Sequence, residues 1–529
     1  MYARDAAMSD SASQQQKVGR GLAWIGAASS LVGILDFVAI LLMLGLWIPA
    51  EEYGIATKAV WLFPILDMAT DLGLSGAVIQ RDSNDPDKIS SVFWMNLIMA
   101  GFLFLVLLGL SPVIASFAGH AVVGYMLIAY STKLLWQNIY FIPVALMRRE
   151  MRFKELSILR IISNAAEFVA KVGFAAAGFG VWAFVLGPLA RVFVVGIGAQ
   201  LRHPWRPRMV MKLRDVRDYA SFGIKSSGSQ ILYYFYTNVD YPIVGYFFGD
   251  AALGLYRMAY EIALEPVRVI ANVVIDIAFP TFARLRHSTA LLTAQFLTFT
   301  RLNLITVMTY AALIFIIADD LILVAFPDYV GAEHAVRILC LVAIFRSIGY
   351  VMPPLLDGVG HPERTLKYMA TAAVALPLGY LIAAKTLGGT AGWLSVAWAW
   401  AFCYPIAFAV LVWMALDLLD LPLLKYLRAV GGIAGCILTG GVVGYGVHWL
   451  VSDLPVGVRL AAATAAVVGT TAVMLAYTQG LSIRTATRAM KGVPEPTSTQ
   501  IAVEAATQVA AEAAAQVAPA KPHANDSKP

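Results

Sequence analysis

The feature that most limits what this chain can become is a succession of apolar stretches, each about 20 residues or longer, separated by short polar breaks. Such a stretch crosses a hydrocarbon core of roughly 30 Å only as a helix, because every backbone N–H and C=O must be paired within the segment. Composition agrees. Of the 529 residues 14% are charged and 59% are hydrophobic, whereas a soluble domain uses about a quarter charged residues to cover its surface. The sequence predicts an all-α polytopic membrane protein.

Apolar runs between breaks give about fourteen spans, at 22–48, 55–80, 91–117, 121–146, 156–178, 180–200, 219–247, 252–282, 295–318, 331–355, 368–387, 390–416, 427–451 and 456–479. The joins Gly178-Phe179-Gly180 and Leu387-Gly388-Gly389 are tight turns that depend on glycine.

The loops sort by sign. Every second one is basic: Arg81 and Lys88; Arg148, Arg149, Arg152 and Lys154; Arg202, Arg206, Arg208, Lys212, Arg214 and Arg217; Arg284 and Arg286; Arg364 and Lys367; Lys425 and Arg428. The intervening loops carry Glu51, Glu52, Asp250, Asp319, Asp320, Asp328 and Glu333. The positive-inside rule puts the basic loops and both termini in the cytoplasm. The excess positive charge is thereby explained without a nucleic-acid partner. The polar start, through about Lys17, leads into no short apolar core with a cleavage site, so a cleaved signal peptide is not expected. Cys340, Cys403 and Cys436 fall inside apolar runs without paired spacing, and read as core filling rather than as a disulfide or metal site.

A weak internal repeat divides the chain. Glu52-Tyr53-Gly54-Ile55-Ala56, then Asp71 through Arg81, then Ile114 to Phe117 match Leu253-Gly254-Leu255-Tyr256, then Asp276 through Arg286, then Leu323 to Pro327. This predicts two six-helix lobes around a central cavity, with two extra C-terminal helices. The expected parts are an N-terminal tail 1–21, an N-lobe 22–200, a basic linker 201–218, a C-lobe 219–416, an appendage 417–483 and a disordered tail 484–529.

Charges at bilayer depth cost several kcal/mol, so they face a cavity or a partner. In the eighth span Arg257, Glu261, Glu265, Arg268, Asn272 and Asp276 follow steps of three and four, which places them on one helix face. Two readings are open: self-paired ions that lock helices together, or the wall of a wet cavity, which so long a polar run favours. The fifth span has Arg160, Asn164, Glu167 and Lys171 on one face; the seventh has Lys225, Ser229, Tyr233, Tyr236 and Asp240; the fourth has Tyr130, Lys133, Gln137 and Tyr140. Arg191, Arg337 and Arg346 are further candidates, although Arg191 and Arg346 also lie where an arginine can snorkel to the surface. Lysine and arginine suit phosphates, and tyrosine suits sugar faces. Asp36, Asp67 and Asp71 are candidates for a coupling cation, H+ or Na+, or for pairing with these bases. No catalytic residue set, metal site or phosphate-binding ATPase loop is read from the chain.

Several ordered motifs carry a resemblance. They are Asp71-Leu-Gly-Leu-Ser-Gly-Ala-Val-Ile-Gln-Arg81, Ser90-Ser-Val-Phe-Trp-Met-Asn96, Ala145-Leu-Met-Arg-Arg-Glu-Met-Arg-Phe-Lys154, Gly178-Phe-Gly-Val-Trp-Ala-Phe-Val185, Asn238-Val-Asp-Tyr241, Leu253-Gly-Leu-Tyr256 and Phe279-Pro-Thr-Phe-Ala-Arg284. Together they resemble the Wzx and colanic-acid-exporter type of the multidrug/oligosaccharidyl-lipid/polysaccharide exporter superfamily, over roughly residues 20–415. The resemblance implies alternating access between two lobes in a bacterial inner membrane, with undecaprenyl-diphosphate-linked sugar repeat units as cargo for cell-surface polysaccharide. It also implies a polysaccharide polymerase and a chain-length regulator as partners. Glu261 stands where many relatives carry a basic residue. The rival expectations are a cation-coupled drug exporter or a peptidoglycan-precursor flippase of the same superfamily, or a polytopic polysaccharide polymerase or ligase. The last normally needs a large periplasmic loop, and the stretch around Asp319–Glu333 is short.

Overall fold

A computed structural model describes residues 28–29, 31–71, 85–212 and 230–479, which are helices joined by short turns, with no strand among them. The expected tails, and the linker beyond residue 212, lie outside the described residues. All fourteen spans have a helical counterpart. Among the described residues eight helices are long and apolar enough to cross a membrane by themselves. The remaining spans are interrupted, or carry the charges that matter below.

The first half begins with α1 (Leu31–Leu46), α2 (Ala50–Val60) and α3 (Phe63–Asp71). It continues with α4 (Pro86–Ala118), α5 (Ala121–Trp136), α6 (Asn138–Arg149), α7 (Phe153–Ala176) and α8 (Ala183–Arg202). Local chemistry sets the ends of α4. Asp85 caps its N-terminus by accepting from the Asp87 N–H at 2.9 Å, and Gly119, at φ 78°, closes its C-terminus in the left-handed region.

The second half contains a helical stretch at 230–238, then α9 (Asp240–Ala263), α10 (Glu265–Leu285) and α11 (Thr289–Ala325). After these come α12 (Glu333–Gly349), α13 (Met352–Val359), α14 (Pro362–Thr386) and α15 (Leu394–Leu418). Within α9 the chain reverses at Gly249, whose φ of 85° suits glycine. The Tyr256 hydroxyl consequently reaches Asp240 Oδ2 at 2.6 Å, although sixteen residues of straight helix would separate them by about 24 Å. The seventh and eighth spans are the two arms of this turn.

The second, fourth, eighth and tenth spans are each broken within the membrane, where the sequence pattern predicts continuous helices. The breaks fall at Trp61–Leu62, Gln137, Leu264 and Tyr350–Val351. Proline explains three of them. Pro64, Pro266 and Pro353 each lack an N–H and crowd the carbonyl four residues back, in the last turn of the preceding helix. Carbonyls beside the breaks receive side-chain donors instead, as backbone buried away from water requires. Tyr234 donates to the Trp61 carbonyl at 2.8 Å, Asn138 to Leu134 at 3.0 Å, Tyr310 to Ile262 at 2.6 Å, and Asn303 to Ser347. Broken spans recur six apart, as two equivalent halves require.

The predicted repeat has a concrete counterpart. A Cβ added to Gly54 would meet the Asp250 backbone carbonyl, and one added to Gly254 would meet that of Ala50. Two equivalent glycines, offset by the repeat, thus let α2 and α9 touch backbone to backbone across the join of the halves.

One loop expectation needs correction. Asp319 and Asp320 are not in a loop: α11 runs on to Ala325, so both sit in its last turns. Asp320 is buried, accepting from His448 at 2.9 Å and Arg459 at 2.5 Å on α16 (Leu423–Leu450) and α17 (Val456–Gln479), which fastens the appendage to the ninth span. The first part of the basic linker is pinned across the start of α4. Ser90 and Ser91 accept from the Arg208 and Lys212 N–H groups at 3.0 and 3.1 Å, and Trp94 donates to the Arg208 carbonyl at 2.8 Å.

A cationic chamber between the halves

Below the Gly54–Gly254 contact lies a chamber of about 560 Å³, lined from the first half by Thr57, Trp61, Pro64 and Met68 and from the second by Tyr233, Tyr234, Arg257, Tyr260, Glu265, Arg268 and Arg346. Its wall follows α2 and α3 away from the acidic first turn of α2, toward the end that carries the basic loops. At the acidic-loop end the halves are latched. Asp250 forms an ion pair with Lys58 at 2.5 Å and accepts from His120 at 2.8 Å, while Lys58 donates to the Ala118 carbonyl at 2.8 Å. The Tyr329 hydroxyl donates to the Ile48 carbonyl at 2.9 Å nearby.

Breaks and reversals aim the charged side chains of the second half. Arg257 is held by Tyr241 and Glu261 and lies over the Tyr241 ring at 4.7 Å. Glu261 is 2% exposed and also accepts from the Tyr53 hydroxyl at 3.1 Å, so it stands behind Arg257 and is not part of the chamber wall. Arg268 pairs with Glu265 at 2.7 Å and is half exposed to the chamber. Arg346 donates to the Tyr260 and Tyr350 hydroxyls at 2.6 and 3.0 Å, and no carboxylate lies within 4 Å of it among the described residues. The single-face stripe expected in the eighth span is therefore split by the Leu264 break, with Arg257 and Glu261 on one segment and Glu265 and Arg268 on the next. Both early readings hold in part: the ions are paired, yet three guanidinium groups still face the chamber against one carboxylate.

The candidate cations of the first half go elsewhere. Lys133 is buried, donating to Asp67 Oδ2 and the Tyr130 hydroxyl, both at 2.6 Å. Lys171 pairs with Glu167 at 2.8 Å and with Asp36 at 3.5 Å, and Arg191 meets Glu167 at 3.2 Å. None of these residues lines the chamber. Their positive and negative charges balance within the first half. Arg337 is also remote: it pairs with Asp319 at 2.7 Å, beside the acidic-loop end of the ninth span.

Asp240 is fully buried and accepts from Tyr256 at 2.6 Å, Trp400 at 2.8 Å and the Tyr241 N–H at 3.1 Å, behind the chamber rather than on it. Tyr233 lines the chamber, Tyr236 lies behind it with its ring edge-on to Tyr233 at 5.5 Å, and Tyr140 is half-buried away from the chamber. Lys225 and the side chains of Asp71, Asn272 and Asp276 lie outside the described residues. Sequence reasoning missed the Lys58–Asp250–His120 latch. Its signal was Gly54 and Gly254 at matching places in the repeat, which mark where the backbones meet.

An all-helical, polytopic bundle of two equivalent halves around a sealed-ended chamber is the build of a membrane transporter. The family model described as "Polysaccharide biosynthesis protein" matches residues 47–329, more than half the chain, and the chain belongs to that family. It is 25% identical to the teichuronic acid biosynthesis protein TuaB of Bacillus subtilis (strain 168) over 441 residues, 82% of this chain and 89% of that one. It is 24% identical to the succinoglycan biosynthesis transport protein ExoT of Rhizobium meliloti (strain 1021), over 68% of this chain and 72% of that one. The solved structure of the lipid II flippase MurJ, in its inward closed conformation, shares the fold with a TM-score of 0.65 at 12% identity, over 85% of this chain and 98% of that one.

Proposed function

We propose that this protein is a flippase for lipid-linked oligosaccharides, moving undecaprenyl-diphosphate-linked repeat units from the cytoplasmic to the periplasmic leaflet for cell-surface polysaccharide synthesis. One observation carries the reading: Arg257, Arg268 and Arg346 face a chamber of about 560 Å³ that residues of both halves close at the acidic-loop end. A diphosphate entering hydrocarbon loses its hydration, and guanidinium groups replace it with charge-assisted hydrogen bonds. Glu265, on the same wall, weakens that grip enough for release. The prenyl tail stays in lipid while the sugars cross in water.

The basic-loop end is the cytoplasmic one by the charge rule, so both termini are cytoplasmic and the membrane is the bacterial inner membrane. The chamber then faces the cytoplasm, the side on which cargo is made. A coupling cation, H+ or Na+, drives reopening, and a polysaccharide polymerase and chain-length regulator receive the product. A net-positive wall disfavours a cationic drug as cargo. A peptidoglycan-precursor cargo is separated by complementation. In a host lacking its own polysaccharide flippase, the wild-type chain restores export. The R257Q/R268Q double variant is present in the membrane at normal amount and restores none. Normal export by that variant refutes the assignment.

A further inference from the structure

Arg346 differs from the other chamber cations. Arg257 has Glu261 and Arg268 has Glu265, whereas Arg346, 5% exposed, is held only by tyrosine hydroxyls and aromatic faces among the described residues. Its guanidinium lies over Tyr260 at 5.7 Å, Tyr350 at 5.8 Å and Trp400 at 5.3 Å. Asp240 and Glu265 act on it only from beyond ion-pair distance, and a buried cation with no carboxylate in contact keeps much of its attraction for an anion. Moreover, Tyr350 accepts from Arg346 through oxygen, so its own O–H group remains a donor to whatever arrives, whereas that of Tyr260 is given to the Thr237 carbonyl at 3.4 Å.

A slot opens at this point. It measures about 30 Å³, is walled by Arg346, Tyr350, Tyr368 and Tyr404, and shares Tyr233, Thr237, Arg346 and Met369 with the main chamber. By the same measure one water needs about 10–15 Å³, so the slot holds two to three oxygen-sized atoms. That admits the two oxygens of a carboxylate. The four oxygens of a phosphate exceed it, and a sugar ring must remain in the chamber beside Tyr233.

We propose that the Arg346 slot receives the carboxylate of an acidic sugar in the cargo oligosaccharide, a second anchor separate from the diphosphate held at Arg257 and Arg268. This rests on the flippase reading and adds a substrate class to it: oligosaccharides that contain a uronic acid or another carboxylated sugar. Two anchors on one wall also fix the direction in which the sugars lie.

The test uses the full-length protein in nanodiscs with three probes: a hyaluronan tetrasaccharide, its carboxyl-reduced neutral form, and geranylgeranyl diphosphate. Binding is followed by tryptophan fluorescence and by calorimetry. Wild type binds the acidic tetrasaccharide at least tenfold more tightly than the reduced one. R346Q removes that preference and leaves geranylgeranyl diphosphate within about twofold, while R268Q weakens the diphosphate probe and keeps the carboxylate preference. Equal binding of the two tetrasaccharides by wild type overturns the inference, as does a preference that survives R346Q. A loss of all three probes in R346Q, with R346K no better, overturns it too and makes Arg346 a structural lock. If wild type binds the diphosphate but shows no carboxylate preference, only this inference fails. If it does not bind the diphosphate either, the flippase reading fails with it.

Discussion

Replacing Asp250 by asparagine tests the latch. Asp250 pairs with both Lys58 at 2.5 Å and His120 at 2.8 Å, with 16–17% of the Lys58 and Asp250 side chains exposed. At an effective dielectric near 20, a pair at about 3 Å is worth roughly 5 kcal/mol before desolvation and side-chain ordering are subtracted. Exposed pairs net under about 1 kcal/mol, and loss of one partner of a fully buried pair costs about 3–5 kcal/mol. An intermediate site such as this one contributes about 2 kcal/mol. Asparagine keeps the shape and removes the charge, so the ratio of closed to open at the acidic-loop end falls about 30-fold. Spin labels at Phe117→Cys and Val330→Cys, both exposed and one in each half, report that end by electron–electron distance measurement once Cys340, Cys403 and Cys436 are replaced. D250N should add a long-distance population, and the swap K58D/D250K should restore the short one. An unchanged distance distribution in D250N refutes the latch.

Two further outcomes follow from packing. G254V puts a side chain on the Ala50 carbonyl and G54V puts one on that of Asp250; each should disfavour the closed contact and shift the same label pair to long distance, with a thermal midpoint in detergent lowered by several degrees. D320N strands His448 and Arg459 at the appendage, and loss of one buried partner should cost about 3–5 kcal/mol of local stability; hydrogen exchange should then rise in Leu423–Leu450 and leave Pro86–Ala118 unchanged.

Hydropathy and loop charge made the number and order of spans readable, because a bilayer forces apolar helices and leaves little else. The repeat was readable too, though faintly, since Gly54 and Gly254 occupy matching places in it. The breaks were not. Pro64, Pro266 and Pro353 lie inside runs apolar enough to read through, and only tertiary donors such as Tyr234 and Tyr310 make the interruptions tolerable. Helical periodicity put Arg257 and Arg268 on one face of one helix, whereas the Leu264 break sets them on two segments that both reach the chamber, and it placed Lys133, Lys171 and Arg191 there as well. Spacing along one helix cannot show that Asp67, Asp36 and Glu167, partly from other helices, neutralise those cations first. Arg337 misled for a different reason. The ninth span, α11, runs past the expected end and carries Asp319 to meet it.

The account turns on a positively charged chamber that carries a diphosphate-linked sugar through the bilayer. Translocation into protein-loaded vesicles measures this directly, with a fluorescent polyprenyl-diphosphate disaccharide in one leaflet and a membrane-impermeant quencher added to the other side. Each charge-assisted contact is worth about 1.5–3 kcal/mol, so R257Q/R268Q should slow the initial rate about 100-fold or more while vesicle incorporation matches wild type. Equal rates in wild type and R257Q/R268Q would contradict the account.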